Sequence, residues 1–167
     1  LVGSEMCIRD RVYLPYLAGE KSPIWDSDAR GVFFGMSLST DYGAFVRAIM
    51  EGVALSMRDC MEIMPAAKKS ISPIPLGGGA ANSRVWCQIF ADVLNRPIVR
   101  LKSGETETLG DFIIAAESVG LTDVTRDFGK KLAAESEVLY PDSAAASVYD
   151  KAYQKYKAVY QNTKTLF

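Results

Sequence analysis

Between Asp41 and Met64 the apolar residues recur at spacings of three and four. Val46, Ile49, Met50, Val53, Met57, Cys60, Met61 and Met64 fall on this pattern and predict one long core helix, with the methionines as packing. Asp41 is placed to cap it and Pro65 to stop it. A second helical run reaches Leu94, capped by Asn82 or Ser83, with Val85, Trp86, Ile89, Phe90 and Val93 on one face. A third, over 108–120, closes at Gly120. A short helix near 124–134 and a final one over 144–164 follow. The last carries Val148, Tyr149, Tyr153, Tyr156, Val159 and Tyr160, an aromatic stripe that reads as a docking face. Strands are expected at "VFFGMSL" (32–38), "ISPIPL" (71–76, a buried strand), "PIVRL" from Pro97, and "SEVLY" before the last helix. Residues 12–31 are extended and turn-rich. Pro15 and Pro23 bias the preceding residues away from α, and Asp26, Asp28 and Gly31 close a turn. Strands alternating with helices give an α/β fold class.

Composition narrows the chemistry. A chain of 167 residues with net charge −1 is one domain, or a piece of a larger one, without the basic surplus of a nucleic-acid or anionic-membrane binder. Lys68 and Lys69 form an adjacent basic pair that reads as a solvated helix end. There is no histidine, which removes Ser-His-Asp and Cys-His nucleophiles and most zinc sites from this chain. Cys7, Cys60 and Cys87 lie far apart, so neither a disulfide scaffold nor a zinc ribbon is expected, and a reducing cytoplasm suits them. No apolar run approaches the roughly 20 residues of a membrane span. Residues 1–11, "LVGSEMCIRDR", resemble the conceptual translation of a transposon-end sequencing adaptor. They are expected to be non-native, with residues 12–167 as the domain and the true protein continuing upstream of Val12.

The candidate chemistry lies in "LGGGAANSRVWCQ" (76–88), where a strand runs into three glycines and then a capped helix. Glycine lets a ligand approach the backbone closely, and the free N–H groups of a helix start favour anions. The same device serves as a purely structural turn, so the residue pattern leaves both readings open. A P-loop needs Gly-Lys-Ser/Thr, which is absent. A dinucleotide fingerprint fits Gly77 and Gly79 but meets Asn82 at the third position, and Arg100 stands near the place of the expected acidic residue. An NADP reading through Arg100 stays as a weaker rival. A calcium loop from Asp26 fails at Arg30 and Ser37.

Three segments together carry a resemblance. "LPYLAGEKSPIWDSDARGVFFGMSLS", "RAIMEGVALSMRDCMEI" and "LGGGAANSRVWCQIFADVLNRPI" resemble the C-terminal half of the FGGY carbohydrate kinases. The likeness is strong over 12–120 and greatest to the xylulose-phosphorylating members. "GEKSPIWD" is shared with gluconate-directed members. The resemblance implies an actin-like, ribonuclease-H-type architecture, in which two α/β domains face a cleft holding ATP, Mg²⁺ and the sugar. This chain then represents most of the second domain. Gly78 and Gly79 are expected against the adenine and ribose, and Ser83 where family members reach the base edge. Trp86 and Gln88 are expected to brace the helix. The resemblance also implies ATP/ADP and Mg²⁺ as cofactors, a missing N-terminal domain as partner, and a homodimer of the full-length enzyme. The catalytic aspartate, the sugar pocket and the Mg²⁺ ligands are expected outside this chain. Asp26, Asp28, Asp41 and Asp59 are thereby set aside as bases, and no catalytic residue is assigned. Where relatives often carry His-Thr-Arg-Ala-Asp, this chain has "STDYGA", which puts the capping near Ala44 in doubt. Asp111 stands where a small residue is frequent, as a carboxylate at a helix start. A non-catalytic nucleotide-binding or interaction module is the alternative from another functional class.

Overall fold

The computed structural model describes residues 11–64, 72–101 and 106–167. Strands β1 (Val12–Leu14) and β2 (Val32–Phe34) pair antiparallel, with Tyr13 opposite Phe33. A second sheet has the order β3 (Ile74–Leu76), β4 (Ile98–Arg100), β5 (Glu137–Leu139), with β3–β4 parallel and β4–β5 antiparallel. The helices are α1 (Tyr42–Glu62), α2 (Arg84–Leu94), α3 (Thr106–Ser118), α4 (Thr122–Glu135) and α5 (Ser143–Thr163). The adaptor-like residues 1–10, with Cys7, lie outside the described residues, as do Pro65, Lys68, Lys69 and Ile71. Arg11 is described, and its Nε donates to Thr40 Oγ1 at 3.1 Å.

Local chemistry sets the element ends. Asp41 caps α1 by accepting from the Ala44 amide at 2.7 Å, so the altered sequence there keeps its cap. Asn95, in the left-handed conformation, ends α2, with the Arg96 amide returning to the Ala91 carbonyl. Gly120 (φ +82°) closes α3 in the same way, with the Leu121 amide on Ala116. Gly35 (φ +81°) follows β2, which stops short of the expected 32–38 strand. Asp26 Oδ1 accepts from the amides of Asp28 and Ala29, giving the expected turn.

The core gathers α1, α2 and α5 around β1 and β4. The buried residues of α1 are Ala44, Ala48, Glu51, Gly52, Ala54 and Leu55, not the predicted methionine stripe, and Met57 and Met64 are exposed. The reason is the close approach of β1. A Cβ on Gly52 would overlap the Tyr13 carbonyl oxygen, so the helix turns its small residues toward the strand. Met50 and Val53 still pack against the core from the side. Strand β3 also departs from expectation. It is half-buried, with Pro75 exposed, and among the described residues it pairs on one edge only.

The aromatic stripe of α5 docks as expected, and every hydroxyl finds a partner. Tyr149 donates to Glu51 Oε1 at 2.9 Å, and Tyr153 to Asp59 Oδ1 at 2.5 Å. Tyr156 donates to Tyr16 Oη at 2.6 Å, and Tyr160 to Asp26 Oδ2 at 2.8 Å. Glu51 is buried and also accepts from Arg47 Nε at 2.7 Å. The hydroxyl of Tyr160 holds the Asp26 carboxyl below its ordinary range, helped by the Asp28 and Ala29 amides and Arg30.

Gly52→Ala is expected to cost about 1–3 kcal/mol of stability, because α1 must move off β1. Chemical denaturation of the chain measures it, and an unchanged midpoint would show that strand and helix separate freely. Asp26 has a lowered folded pKa, so its contribution is present above the unfolded value of about 4 and lost as pH falls through the native one. Asp26→Asn is therefore expected to be less stable than the parent at pH 7, with the gap closing on acidification. Unfolding curves across that range test the sign, and a pH-independent gap contradicts it.

Candidate nucleotide-contact site

Strand β3 delivers the chain to the glycines. The Ile74 amide donates to the Pro97 carbonyl and the Leu101 amide to that of Leu76, each at 2.9 Å, so the strand is anchored up to the loop. Gly78 then adopts φ +69°, ψ −159°, a region open essentially to glycine alone. Gly79 differs. It begins the 3₁₀ turn Gly79–Asn82, with no left-handed requirement on its backbone. A Cβ added at either glycine meets nothing within 4 Å. The loop therefore presents bare backbone toward open space, unlike Gly52, whose bareness serves packing.

Of the two capping candidates, Ser83 takes the role. Its hydroxyl accepts from the Trp86 amide at 3.3 Å, and its carbonyl receives the Cys87 amide. As a hydroxyl it keeps a proton to donate elsewhere. Trp86 Nε1 donates to the Met50 carbonyl at 3.0 Å and its ring stacks on Phe90, so this side chain braces α2 against α1. Gln88 Nε2 reaches Asp92 Oδ1 and the Tyr140 carbonyl, each at 2.9 Å, tying α2 to the segment after β5. Cys87 lies beneath the turn, and burial pushes its thiol up, away from thiolate chemistry.

Arg100 is committed to the protein itself. Its Nε donates to the Ala81 carbonyl at 2.6 Å, Nη2 to Asn82, and Nη1 faces Glu137 Oε2 at 3.3 Å. The other Glu137 oxygen accepts from Arg84 Nε at 2.8 Å, and the Arg84 bond above all holds the Glu137 carboxyl below its ordinary range. The NADP reading through Arg100 is thus overturned, because this guanidinium grips backbone rather than facing a ligand. Spacing had singled out Arg100 for the wrong role. Glu137 lay in a strand with no motif, and only the fold brings it to the loop.

Three of the carboxylates set aside as bases have structural partners. Asp41 caps α1, Asp59 accepts from Tyr153, and Asp26 holds the 26–29 turn. Asp111 lies in the second turn of α3, not at its start, and is exposed. Among the described residues no group of three or more His, Cys, Asp or Glu is placed to hold a metal ion. The glycine loop itself offers backbone and one hydroxyl, a donor set that does not suit Mg²⁺. Among the described residues no helix is long and apolar enough to cross a membrane.

Comparison with known proteins agrees with this arrangement. Residues 9–119 match the C-terminal domain of the FGGY family of carbohydrate kinases. A xylulose kinase of Staphylococcus epidermidis is 35% identical over 98% of this chain and 33% of its own length. The crystal structure of a xylulose kinase from Brucella ovis superposes with a TM-score of 0.77 at 30% identity, covering 96% of this chain and 33% of that one. Plasmodium falciparum glycerol kinase with ADP gives 0.72 at 25% identity, covering 92% and 31%. Two glycerol kinases and a gluconokinase of Bacillus subtilis also match by sequence. The chain spans about a third of the length of the curated relatives it matches. The family match and the superposition agree, and the chain belongs to the FGGY family of carbohydrate kinases, as its C-terminal domain.

Proposed function

We propose that this chain is the nucleotide-contacting lobe of an ATP-dependent sugar kinase that phosphorylates D-xylulose on its 5-hydroxyl. The observation that carries the reading is Gly79. Its backbone has a conformation any residue adopts, in space where a side chain would meet nothing. The fold therefore gives no reason for glycine there, and close approach of a flat ligand does. Gly78 and Gly79 lie against adenine and ribose, and Ser83 donates its hydroxyl proton toward the base edge while capping α2. The xylulose kinases among the relatives support the sugar, and the glycerol kinase solved with ADP supports the nucleotide. Gluconate is the second substrate reading, supported by the gluconokinase relative and the gluconate kinase structure from Lactobacillus acidophilus. A sugar panel on the intact enzyme separates the two.

The partner in this reading is the N-terminal lobe of the same protein, which supplies the base, the sugar pocket and the Mg²⁺ ligands. Closure of the two lobes excludes water, so the phosphoryl group passes to the sugar rather than to solvent. Homodimerisation of the intact enzyme rests on the family resemblance alone.

The isolated 167-residue chain is expected to show no sugar-dependent ADP release and to bind ADP more weakly than about 1 mM, or about −4 kcal/mol. A coupled phosphoryl-transfer assay and calorimetry measure both, and clear turnover would place a base within this chain. Gly79→Ala is expected to leave the fold as stable as the parent or raise it by about 0.4–1 kcal/mol. In the intact kinase the same change is expected to raise the KM for ATP about tenfold. An unaltered KM removes the loop from the nucleotide site.

A further inference from the structure

Arg100 ends β4, in register with Leu76 on one side and Glu137 on the other. Leu76 is the residue from which the glycine loop departs. The Arg100 side chain is 19% exposed and reaches over to the carbonyls of Ala81 and Asn82. These are the final carbonyls of the 3₁₀ turn, which the turn's own amides leave unpaired. A cation at the carboxyl end of a helical turn also complements its dipole. The Ala81 amide in turn donates to the Gly78 carbonyl at 3.1 Å. The residue gripped by Arg100 is therefore the one that fixes the Gly78 peptide. Glu137 completes the clamp by joining Arg100 to Arg84, the first residue of α2. One carboxylate thus ties β4, the strand beside β3, to the helix after the turn.

We propose that Arg100, held by Glu137, is a positioning residue that sets the height and tilt of the Gly78–Gly79 backbone for a nucleoside. This rests on the adenosine reading above. Arg100 touches neither substrate. It fixes the turn before ligand arrives, so the loop does not pay ordering entropy on binding. The clamp acts on the nucleoside rather than the phosphates, because its guanidinium is spent on two carbonyls and a carboxylate.

In the intact kinase, Arg100→Met keeps the apolar stem and removes the three hydrogen bonds. The KM for ATP is expected to rise about tenfold or more, with kcat and the sugar KM within about twofold, the pattern of lost uniform binding at one substrate. Inhibition by adenosine, which has no phosphates, is expected to weaken by the same factor. Arg100→Lys is not expected to rescue, since an ammonium cannot span two carbonyls and a carboxylate in one planar fork. Glu137→Gln keeps the volume, loosens both arginines and moves the ATP KM in the same direction by less; it carries the test if Arg100→Met does not fold. An unchanged ATP KM in the folded variants overturns the proposal, and so does a sugar KM that rises in parallel. Gly79→Ala, measured alongside, separates the two readings. If it raises the ATP KM and the clamp variants do not, the clamp alone falls. If it too leaves the ATP KM unchanged, the adenosine reading falls and the clamp with it.

Discussion

The tyrosine face of α5 is the interaction on which the other elements depend. Four buried rings on one side of this helix carry hydroxyls that must be bonded once they leave water. Their partners are Tyr16 after β1, Asp26 in the first turn, and Glu51 and Asp59 on α1. The last helix therefore fixes the first segment and α1 together. Burial raises the pKa of all four phenols, so they stay protonated donors throughout the physiological range. The same helix packs on α2, the helix whose first turn frames the glycine loop.

Two kinds of glycine divide the work. Gly52 and Gly19 are bare because protein backbone lies where a side chain would stand. Gly78 is needed for its dihedral angles, whereas Gly79 has neither obligation. The candidate site stands at the end of a parallel strand pair, ahead of the serine-capped start of α2.

The chain's charges mostly organise structure. Asp41 and Asp142 cap helices, Asp92 receives the Asp142 amide, and Glu137 bridges two arginines. In the proposed function, the carboxylate that acts on the sugar hydroxyl belongs to the other lobe of the enzyme. The chain's length, a third of its relatives', accords with this division.

What the sequence determined by itself was local. Periodicity placed the helices within a few residues, Asp41 and Gly120 marked their ends, and the glycine run identified the loop, because backbone preference and capping act over a few residues. Which face of each element would be buried was not local. The methionines of α1 looked like its core stripe, yet the approach of β1 to Gly52 rotated that helix onto its alanines. "ISPIPL" read as a buried strand, but its described residues lie half-buried at the edge of their sheet. Arg100 stood out by spacing alone, and its role emerged only when the sheet set it between Leu76 and Glu137, within reach of two carbonyls. Short-range sterics and hydrogen bonds wrote the elements into the chain; contacts between residues tens of positions apart decided what each one faces.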